Sequence, residues 1–528
     1  MSLLRVVGTA EVLEGLRDIE ELDLDTDSAR VWTDGVKWRV AAMAPPTVIP
    51  VLEQRGCDVY ELMTDADLLA YYDEIGSPPP TEAAAFSGGV TPGPLLKPRR
   101  APEIEAGLEA LARKYPDYCR RTMLETTSGG NKCSYLKIGV GPSGPKRPVV
   151  LFTGGLHGRE WVPPDALLSL AENLLAAYHD GADLYFPATT ITFRADKKKP
   201  RPSDAPQYFP EFVIKAETIV PIIQKVDLLI FPLANPDGRE FDLDHPKIHE
   251  YGWRKSRRPV GPDPQGRPAH GVDINRNFPI AWDFDRYYQM DLYLARYEEP
   301  PSDKTPGDGA VGELYRGSAP LSEIETRNVA TLMENYPISY FVDVHTAGRA
   351  IMWSWGMEEN GTVPAMNYRN PQYDGTRDGL MADDPSFPVG RVDYKEYLPP
   401  RIAERNEFIS RLMGAAILRS ANRGELPPSG GFAEYHTLHL IKQDARPAGK
   451  YKRPLTSTSQ NYATALQFIR PDRPPTYACV FEAGDDEEGL FHPVYAAHNP
   501  QFQKQNREIQ AALIALLQSA AKFGVQPG

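Results

Sequence analysis

Two residues able to bind a metal ion, His157 and Glu160, lie three positions apart in the stretch VVLFTGGLHGREWVPPD, from Val149 to Asp165. On a tight turn, an imidazole and a carboxylate at this spacing can converge on one point. A neutral imidazole nitrogen and a carboxylate oxygen are both good ligands for zinc. The His-x-x-Glu pattern is short and arises often by chance, so it needs a third ligand elsewhere in the chain to define a metal site.

The local sequence places this pair between a buried strand and a helix. Val149 to Thr153 is a short apolar run rich in β-branched residues, which is typical of a buried strand, and two glycines then break it. Pro163 and Pro164 favour a helix start, because proline suits the first helical turn and is costly inside a helix. In open α/β sheets, ligands bind where the carboxyl end of a strand faces the start of a helix.

Three later apolar runs repeat the arrangement of a strand followed by a polar residue. Val226 to Leu233 precedes Asn235, Ile338 to Val344 precedes His345, and Thr476 to Glu482 ends in Glu482 itself. A sheet with helices on both faces would bring these strand ends to one crevice. The sequence therefore predicts an α/β fold with a mixed, mostly parallel sheet that is flanked by helices on both faces.

Other histidines in the chain could also bind a metal. His345 is the candidate third ligand, although a histidine after an apolar strand is more often structural. His436 and His439 lie three positions apart in a loop-rich stretch, where no strand is predicted, and we interpret them as surface histidines. His179 ends a predicted helix, where a positive charge is favourable, and we interpret it as a capping charge.

Two clusters that contain arginine lie between the second and third metal candidates, Glu160 and His345. One is WRKSR, from Trp253 to Arg257, and the other is GVDINRNF, from Gly271 to Phe278, which contains Asn275 and Arg276. The second cluster is embedded among apolar residues. Buried charge requires a partner of opposite sign, so part of this cluster is expected to bind an anionic group.

The composition is that of a soluble globular protein. The chain has 528 residues, of which 41% are hydrophobic and 24% charged, and its formal net charge is −13. An acidic chain without a long run of Lys and Arg is a poor candidate for binding nucleic acid or an anionic membrane. This length exceeds one ordinary core, so two domains are expected.

The expected organisation has three parts. Residues 1–76 form a small α/β domain; residues 77–102 form a linker rich in proline and glycine; and residues 103–528 form a larger second domain that contains the metal candidates. The linker ends in Lys97, Pro98, Arg99 and Arg100. A basic stretch there is either a processing site or, more often, simply solvated.

No secretory signal or membrane-spanning run is visible in this chain. The four cysteines form no C-x-x-C pair, which favours buried or free thiols in a reducing compartment. We therefore expect a cytoplasmic protein, with export left open.

Five ordered motifs resemble those of the metallocarboxypeptidases of the carboxypeptidase A type. They are HGRE, WRKSR, DINRN, the strand that ends at His345 and the strand that ends in Glu482, and the resemblance covers roughly residues 101–523. It implies one zinc ion, bound by His157, Glu160 and His345 with a position left for water. It further implies that Asp273 orients His157 and that Glu482 acts as the general base and acid. Residues 103–528 would then be the catalytic domain, and residues 1–76 would be either prodomain-like or accessory.

The same resemblance implies how a substrate is held. Arg254 would stabilise the oxyanion on the scissile carbonyl, while Asn275 and Arg276 would grip a terminal carboxylate, with Arg159 assisting. The family also has a mobile tyrosine upstream of a Ser/Thr-rich loop. Here the loop is LTSTSQNYA, from Leu455 to Ala463, and Tyr451 is the nearest upstream candidate, although it lies a little too far away. The residue that selects the side chain would lie near Gln460 or Asn461, and neither is charged.

These features predict a zinc-dependent carboxypeptidase that hydrolyses the C-terminal bond of peptides or proteins through a zinc-bound water. An alternative is a zinc amidase or deacylase that acts on a non-standard amide: a peptidoglycan fragment, an amino-acid conjugate or a side-chain-linked glutamate. A third is a catalytically dead binding protein, which the presence of Glu482 and Arg254 argues against. Peptide or protein C-termini are the expected partners, with no nucleic acid or membrane; the oligomeric state stays open.

Overall fold

The structure is a computed structural model of the whole chain. It describes residues 2–16, 18–19, 21–31, 37–63, 89–91, 93, 95–144, 146–191, 207–246, 252–297, 300–307, 312–358, 360–379, 394–420, 436–439, 454–484, 491–493, 495 and 501–525. The strands in these residues are β1 (Ser2–Gly8), β2 (Asp23–Val31), β3 (Trp38–Ala44), β4 (Asp58–Met63), β5 (Gly89–Val90), β6 (Cys119–Met123), β7 (Ser134–Ile138), β8 (Val149–Gly154), β9 (Asp183–Phe186), β10 (Thr189–Ile191), β11 (Gln207–Phe209), β12 (Phe212–Ile214), β13 (Asp227–Phe231), β14 (Pro259–Pro262), β15 (Pro268–His270), β16 (Ile338–Thr346), β17 (Ala350–Trp353), β18 (Asn360–Gly361), β19 (Glu396–Tyr397), β20 (His436–His439) and β21 (Tyr477–Ala483).

Helices connect and cover these strands. The described α-helices are α1 (Ala10–Glu14), α2 (Ile49–Gln54), α3 (Ala101–Lys114), α4 (Val162–Asp180), α5 (Ala216–Lys225), α6 (Pro236–Asp244), α7 (Phe284–Tyr287), α8 (Met290–Tyr297), α9 (Ile324–Asn335), α10 (Pro400–Ser420), α11 (Ser459–Ile469) and α12 (Gln501–Phe523). A short 3-10 helix, Ile274–Arg276, carries part of the predicted substrate clamp. Among the described helices, none combines the length and apolar character needed to cross a bilayer.

The central sheet has eight strands in the described residues, in the order β20-β17-β21-β16-β8-β13-β7-β6. Its middle four strands, β21, β16, β8 and β13, all run parallel to one another. The outer pairings β17·β21, β13·β7 and β6·β7 are antiparallel, while β17·β20 is parallel. The mixed sheet is confirmed, and the strands predicted to end in polar residues are its four parallel neighbours.

Helices lie on both faces of this sheet, as β16 demonstrates. Successive residues of a strand point to opposite faces. On one face, Tyr340 accepts a hydrogen bond from Arg405 of α10 at 3.1 Å. On the other face, Asp343 accepts one from Ser459 of α11. Every residue of β8 and β16 is buried, as expected for parallel strands that are covered on both sides.

The N-terminal residues form a separate sheet, in the order β2-β3-β1-β4, with all its pairings antiparallel. This sheet has a hydrophobic core separate from that of the central sheet, and Leu4, Val6 and Leu52 are fully buried in it. The exact domain boundaries stay a prediction.

One secondary-structure prediction is wrong. His436 and His439, expected in a loop, form the ends of β20, which pairs in parallel with β17 at the edge of the central sheet. The segment is only four residues long, and short polar edge strands carry little hydrophobic periodicity. The expectation of buried or free thiols is confirmed for Cys57, Cys119, Cys133 and Cys479, which are all buried free thiols, while the reducing compartment stays a prediction.

Candidate active site

The turn that carries the first two metal candidates is pressed against two other loops. The backbone N–H of Gly158 donates to the carbonyl of Arg254 at 3.2 Å, and that of Arg159 donates to the carbonyl of Trp253 at 2.8 Å. A Cβ on Gly158 would lie 2.4 Å from the backbone carbonyl of Gly238. Glycine is therefore required at this position for the HGRE turn to approach its neighbours.

The side chain of Asn235 holds the HGRE turn and the WRKSR segment together by hydrogen bonds. Its side-chain amide donates to the carbonyls of Leu156 and Lys255, both at 3.0 Å. Its side-chain oxygen accepts the backbone N–H of Gly238 at 2.8 Å and thereby caps α6. The residue predicted at the end of the β13 strand is thus a structural clamp between the metal turn and the WRKSR segment.

Three buried donor groups converge where the sequence predicted a metal. The Nδ1 atom of His157 lies 2.6 Å from one carboxylate oxygen of Glu160, and Nδ1 of His345 lies 2.9 Å from the other. The two Nδ1 atoms are 3.2 Å apart. One ligand atom from each residue lies within 4.8 Å of the others. Two imidazoles and one carboxylate at this separation fit a zinc ion with a further position for water.

The charges at this cluster favour a cation. Burial by itself would raise the pKa of Glu160, but the imidazoles of His157 and His345 hold it well below its usual range. Burial would lower the pKa of His345, but the carboxylates of Asp343 and Glu160 raise it well above its ordinary value. The site therefore holds positive charge strongly, and a divalent ion can supply that charge in place of protons.

Asp273 lies behind His157, as the resemblance implied. Its Oδ1 atom is 3.3 Å from Nε2 of His157 and also accepts the backbone N–H of Asn275 at 2.9 Å. Its Oδ2 atom accepts Nε of Arg254 at 3.0 Å. Although burial would raise the pKa of Asp273, Arg254 and His157 hold it well below its usual range. A carboxylate whose ionised form is favoured thus joins the metal turn to the two arginine clusters.

Arg254 keeps its charge in this buried setting. Burial alone would lower the pKa of its guanidinium, but Asp273, Glu313 and Glu160 raise it above its usual range. Arg276, whose Nη1 atom donates to the carbonyl of Asn275 at 2.8 Å, is 7% exposed. The arginines predicted to hold a carbonyl oxygen and a carboxylate therefore lie beside the donor cluster, through their contacts with Asp273 and Asn275.

Glu482 lies beside the third metal candidate. In the parallel pairing of β16 with β21, Glu482 is the register partner of His345. Register partners in neighbouring strands point to the same face of a sheet, so the carboxylate stands next to the donor cluster. The side chain is only partly buried, which suits a residue that exchanges protons with water.

Three other predicted substrate residues have different outcomes. The guanidinium of Arg159 is ion-paired with Glu313 and lies 4.3 Å from the centre of the Phe491 ring. Tyr451 lies outside the described residues. Asn461 is occupied by backbone groups, since it accepts from Gly356 at 2.9 Å and donates to the carbonyl of Leu455 at 2.7 Å.

Gln460, the other candidate for selecting the side chain, is fully buried, and neither atom of its amide has a hydrogen-bond partner among the described residues. The roles of these residues in selecting substrate stay predictions.

Sequence reasoning missed two acidic residues at the site. Glu313, which pairs with Arg159, follows a glycine in a loop and carries no pattern that would single it out. Asp343 precedes His345 by two positions in a strand. Because residues i and i+2 of a strand share a face, the Asp-x-His pattern was the available signal.

The fold and the donor cluster define a metal-dependent hydrolase of the α/β class, with its site at the carboxyl edge of a mixed sheet. The sequence pattern of the zinc carboxypeptidase family matches residues 104–382, slightly more than half of the chain, and the protein belongs to this family. Zinc is the metal of the family, and His157, Glu160 and His345 are the candidate ligands.

Similar proteins agree with this assignment. Carboxypeptidase B of Astacus astacus is 25% identical over 256 residues, which are 48% of this chain and 63% of the relative. Carboxypeptidase A4 of Mus musculus is 23% identical over 252 residues, covering 47% of this chain and 44% of the relative. The alignments thus span about half to two thirds of the length of these curated relatives.

Solved structures share the fold. Thrombin-activatable fibrinolysis inhibitor superposes with a TM-score of 0.61 at 14% identity, covering 99% of this chain and 98% of its own. Carboxypeptidase A from Helicoverpa armigera superposes with a TM-score of 0.58 at 18% identity, also covering 99% of this chain and 98% of its own. At these identities the likeness concerns the architecture alone.

Proposed function

We propose that this protein is a zinc-dependent carboxypeptidase that hydrolyses the last peptide bond of a peptide or protein. The observation that carries the proposal is the register of β16 with β21, which puts the candidate general base Glu482 beside the ligand His345. A structural metal site has no need of a partly exposed carboxylate at that point, and it is usually closed by a fourth protein ligand.

The metal ligands, Glu482 and Arg254 would each have a separate role in the reaction. Zinc, when bound by His157, Glu160 and His345, supplies a Lewis acid that makes water nucleophilic at neutral pH. Glu482 takes the proton of the attacking water and passes it to the nitrogen of the leaving amine. With Nε of Arg254 engaged by Asp273, the terminal nitrogens of Arg254 bind the carbonyl oxygen as its negative charge develops.

A clamp for the terminal carboxylate would make the enzyme an exopeptidase. Arg276 and the amide of Asn275 are the candidates, because they lie next to Asp273 and therefore close to the donor cluster. A guanidinium binds a carboxylate through a planar fork of two hydrogen bonds. The distance from clamp to metal then fixes the bond that is cut as the last one in the chain.

The test uses a set of blocked dipeptides that differ in the C-terminal side chain, each as a free acid and as its amide. We expect the acids to release their C-terminal amino acids and the amides to be nearly inert. Loss of a charge-assisted pair in a desolvated site costs roughly 2–5 kcal/mol, or about thirtyfold to several thousandfold in kcat/KM. Equal cleavage of acid and amide would contradict an exopeptidase and favour an amidase.

The same proposal also covers the kind of molecule that carries the free C-terminus and the cellular location of the protein. Peptides or proteins, rather than nucleic acids or membranes, are the proposed partners, and the cytoplasm is the proposed location. Fractionation of cells followed by detection of the protein tests the location, and its recovery outside the cell would contradict it.

A further inference from the structure

Asp343 is a buried carboxylate that the mechanism above does not use. It is 0% exposed and lies two positions before His345 in β16, so both side chains point to the same face of the sheet. A buried carboxylate is costly unless its oxygens receive hydrogen bonds or a positive partner. Its contacts therefore indicate what keeps it there.

Three groups surround this carboxylate. The hydroxyl of Thr153, its register partner in β8, donates to Oδ1 at 2.9 Å. The hydroxyl of Ser459, at the start of α11, donates to Oδ2. Nε2 of His345 lies 2.9 Å from the same Oδ2. The contact with His345 has the distance of an ion pair but not the geometry of a hydrogen bond, and Nε2 has no hydrogen-bond partner among the described residues.

The two candidate histidine ligands have matching surroundings. Each turns Nδ1 towards Glu160, and each has a carboxylate near its Nε2: Asp273 for His157 at 3.3 Å, and Asp343 for His345 at 2.9 Å. A carboxylate that accepts the N–H of one imidazole nitrogen leaves the lone pair of the other nitrogen for a metal.

We propose that Asp343 is a positioning residue for zinc, which holds His345 in the tautomer and orientation that present Nδ1 to the ion. This inference rests on the proposed function only in requiring that His345 binds zinc, and not in requiring hydrolysis of any peptide. The negative charge of Asp343 also makes Nδ1 of His345 a stronger metal ligand, and it increases the attraction of the site for a divalent cation.

A second consequence concerns the substrate side of the site. Ser459, whose hydroxyl binds Asp343, donates its backbone N–H to the side-chain oxygen of Asn275 at 2.8 Å. Asn275 in turn donates its backbone N–H to Asp273 at 2.9 Å. The two histidine–carboxylate pairs are thereby joined through Ser459 and Asn275, so the position of the carboxylate clamp is tied to both metal ligands.

The test compares zinc affinity in Asp343→Asn and in wild-type full-length protein by competition with a chromophoric chelator. Replacement of such a partner weakens metal binding about 10- to 100-fold, and we expect a loss of that size. Cobalt(II) in place of zinc provides a second measurement, because its visible absorption reports ligand geometry; we expect the bands of Asp343→Asn to shift.

Thr153→Val is the matched control, since it removes one hydrogen bond to Asp343 but keeps the charge and nearly the same volume. It should retain zinc affinity within about threefold of wild type, a margin well below the change expected for Asp343→Asn. If Asp343→Asn does not fold, as judged by circular dichroism, Asp343→Ser is measured in the same way. Zinc affinity at the wild-type level in the folded variant, or an equal loss in Thr153→Val, overturns the proposal.

The two proposals fail differently. A wild-type protein that binds no zinc overturns both of them. A wild-type protein that binds zinc tightly and loses affinity with Asp343→Asn, yet cleaves no blocked dipeptide, supports the role of Asp343 and contradicts the proposed peptidase activity alone.

Discussion

His345 and Glu482 are direct register partners in the parallel strands β16 and β21, with their side chains on one face of the sheet. The candidate metal ligand and the candidate general base thus stand side by side at the carboxyl edge of the sheet, although they are far apart in the chain. Strands this deeply buried resist slipping, because a shift of one residue would turn every side chain to the opposite face. The pairing of the strands therefore maintains the spacing between ligand and base.

The first prediction concerns Glu482→Gln, which keeps the shape of the side chain and removes the base. We expect kcat to fall at least about a hundredfold, the lower end for a general-base effect, with zinc content unchanged. Activity on a blocked dipeptide and metal analysis check this. Glu109→Gln, on the exposed surface of α3, is the control and should be fully active. Near-normal turnover by Glu482→Gln would assign the base to another residue.

The second prediction concerns the third ligand. His345→Ala should lose most of its zinc, because two protein ligands hold the ion much more weakly than three. His179→Ala is the matched control: this histidine hydrogen-bonds Tyr118 at 2.6 Å near the end of α4, away from the donor cluster, and its variant should keep the metal. Elemental analysis of the dialysed proteins measures their zinc content. A full zinc complement in His345→Ala would show that His345 is not a zinc ligand.

The third prediction concerns the clamp. Arg276→Ala should reduce kcat/KM for a free-acid dipeptide by about thirtyfold or more, and should change the low rate on the matching amide much less. The reason is that only the acid carries the charge which Arg276 would bind. Parallel kinetics on the two substrates provide the comparison. Equal losses on acid and amide would mean that Arg276 supports the fold of the site and does not bind the carboxylate.

The fourth prediction concerns the basic end of the linker. The backbone N–H of Arg99 donates to Oδ1 of Asp165 at 3.2 Å, and the backbone carbonyl of Arg99 accepts a hydrogen bond from Nε of Arg239 at 2.7 Å. Arg100 pairs with Glu240 at 2.9 Å. Because a protease needs an extended, accessible backbone, trypsin should cut at these arginines slowly in the folded protein.

Glu240→Gln, which weakens the pairing of Arg100, should speed this cut by a few-fold, as followed by timed digestion and mass spectrometry. Rapid cutting of the wild type would contradict the prediction. The activity of the cut form tests the role of residues 1–76: a rise indicates an inhibitory prodomain, and no change indicates an accessory domain.

The fifth prediction concerns stability against pH. Burial, reinforced by Glu323 and Asp237, raises the pKa of Glu325 to about 8, and one of its oxygens has no hydrogen-bond partner in the part of the chain that the structure describes. The folded protein thus keeps a proton that the unfolded chain loses near pH 4.5, the ordinary value. Stability contributed by this group is present below about pH 4.5 and declines as pH rises towards 8.

Glu325→Gln cannot ionise, so it should gain stability relative to wild type as pH rises. The gain should be on the order of 1–4 kcal/mol at pH 8.5 and small at pH 4.5. Thermal unfolding of both proteins at the two pH values measures it. A difference in Tm that is the same at both pH values would show that Glu325 is not the group that titrates.

Much of the candidate site could be predicted from the sequence, because its information is local. The spacing of His157 and Glu160 on one turn, and the apolar strands that end near His345 and Glu482, depend only on neighbours in the chain. Hydrophobic periodicity marks buried strands with little dependence on the rest of the fold. The resemblance of five ordered motifs then supplied the zinc and the family, which the match over residues 104–382 supports.

The tertiary structure decided which distant groups meet. Strand order and register bring Asp343 to Thr153 and Ser459, and no spacing within the chain specifies either contact. The ion pair that engages Arg159 with Glu313 likewise joins two loops. A local pattern fixes what a side chain can do and which way it points within its own turn or strand. Whether a partner stands opposite depends on how separate strands and loops pack, and here that packing places Thr153 and Ser459 against the carboxylate of Asp343.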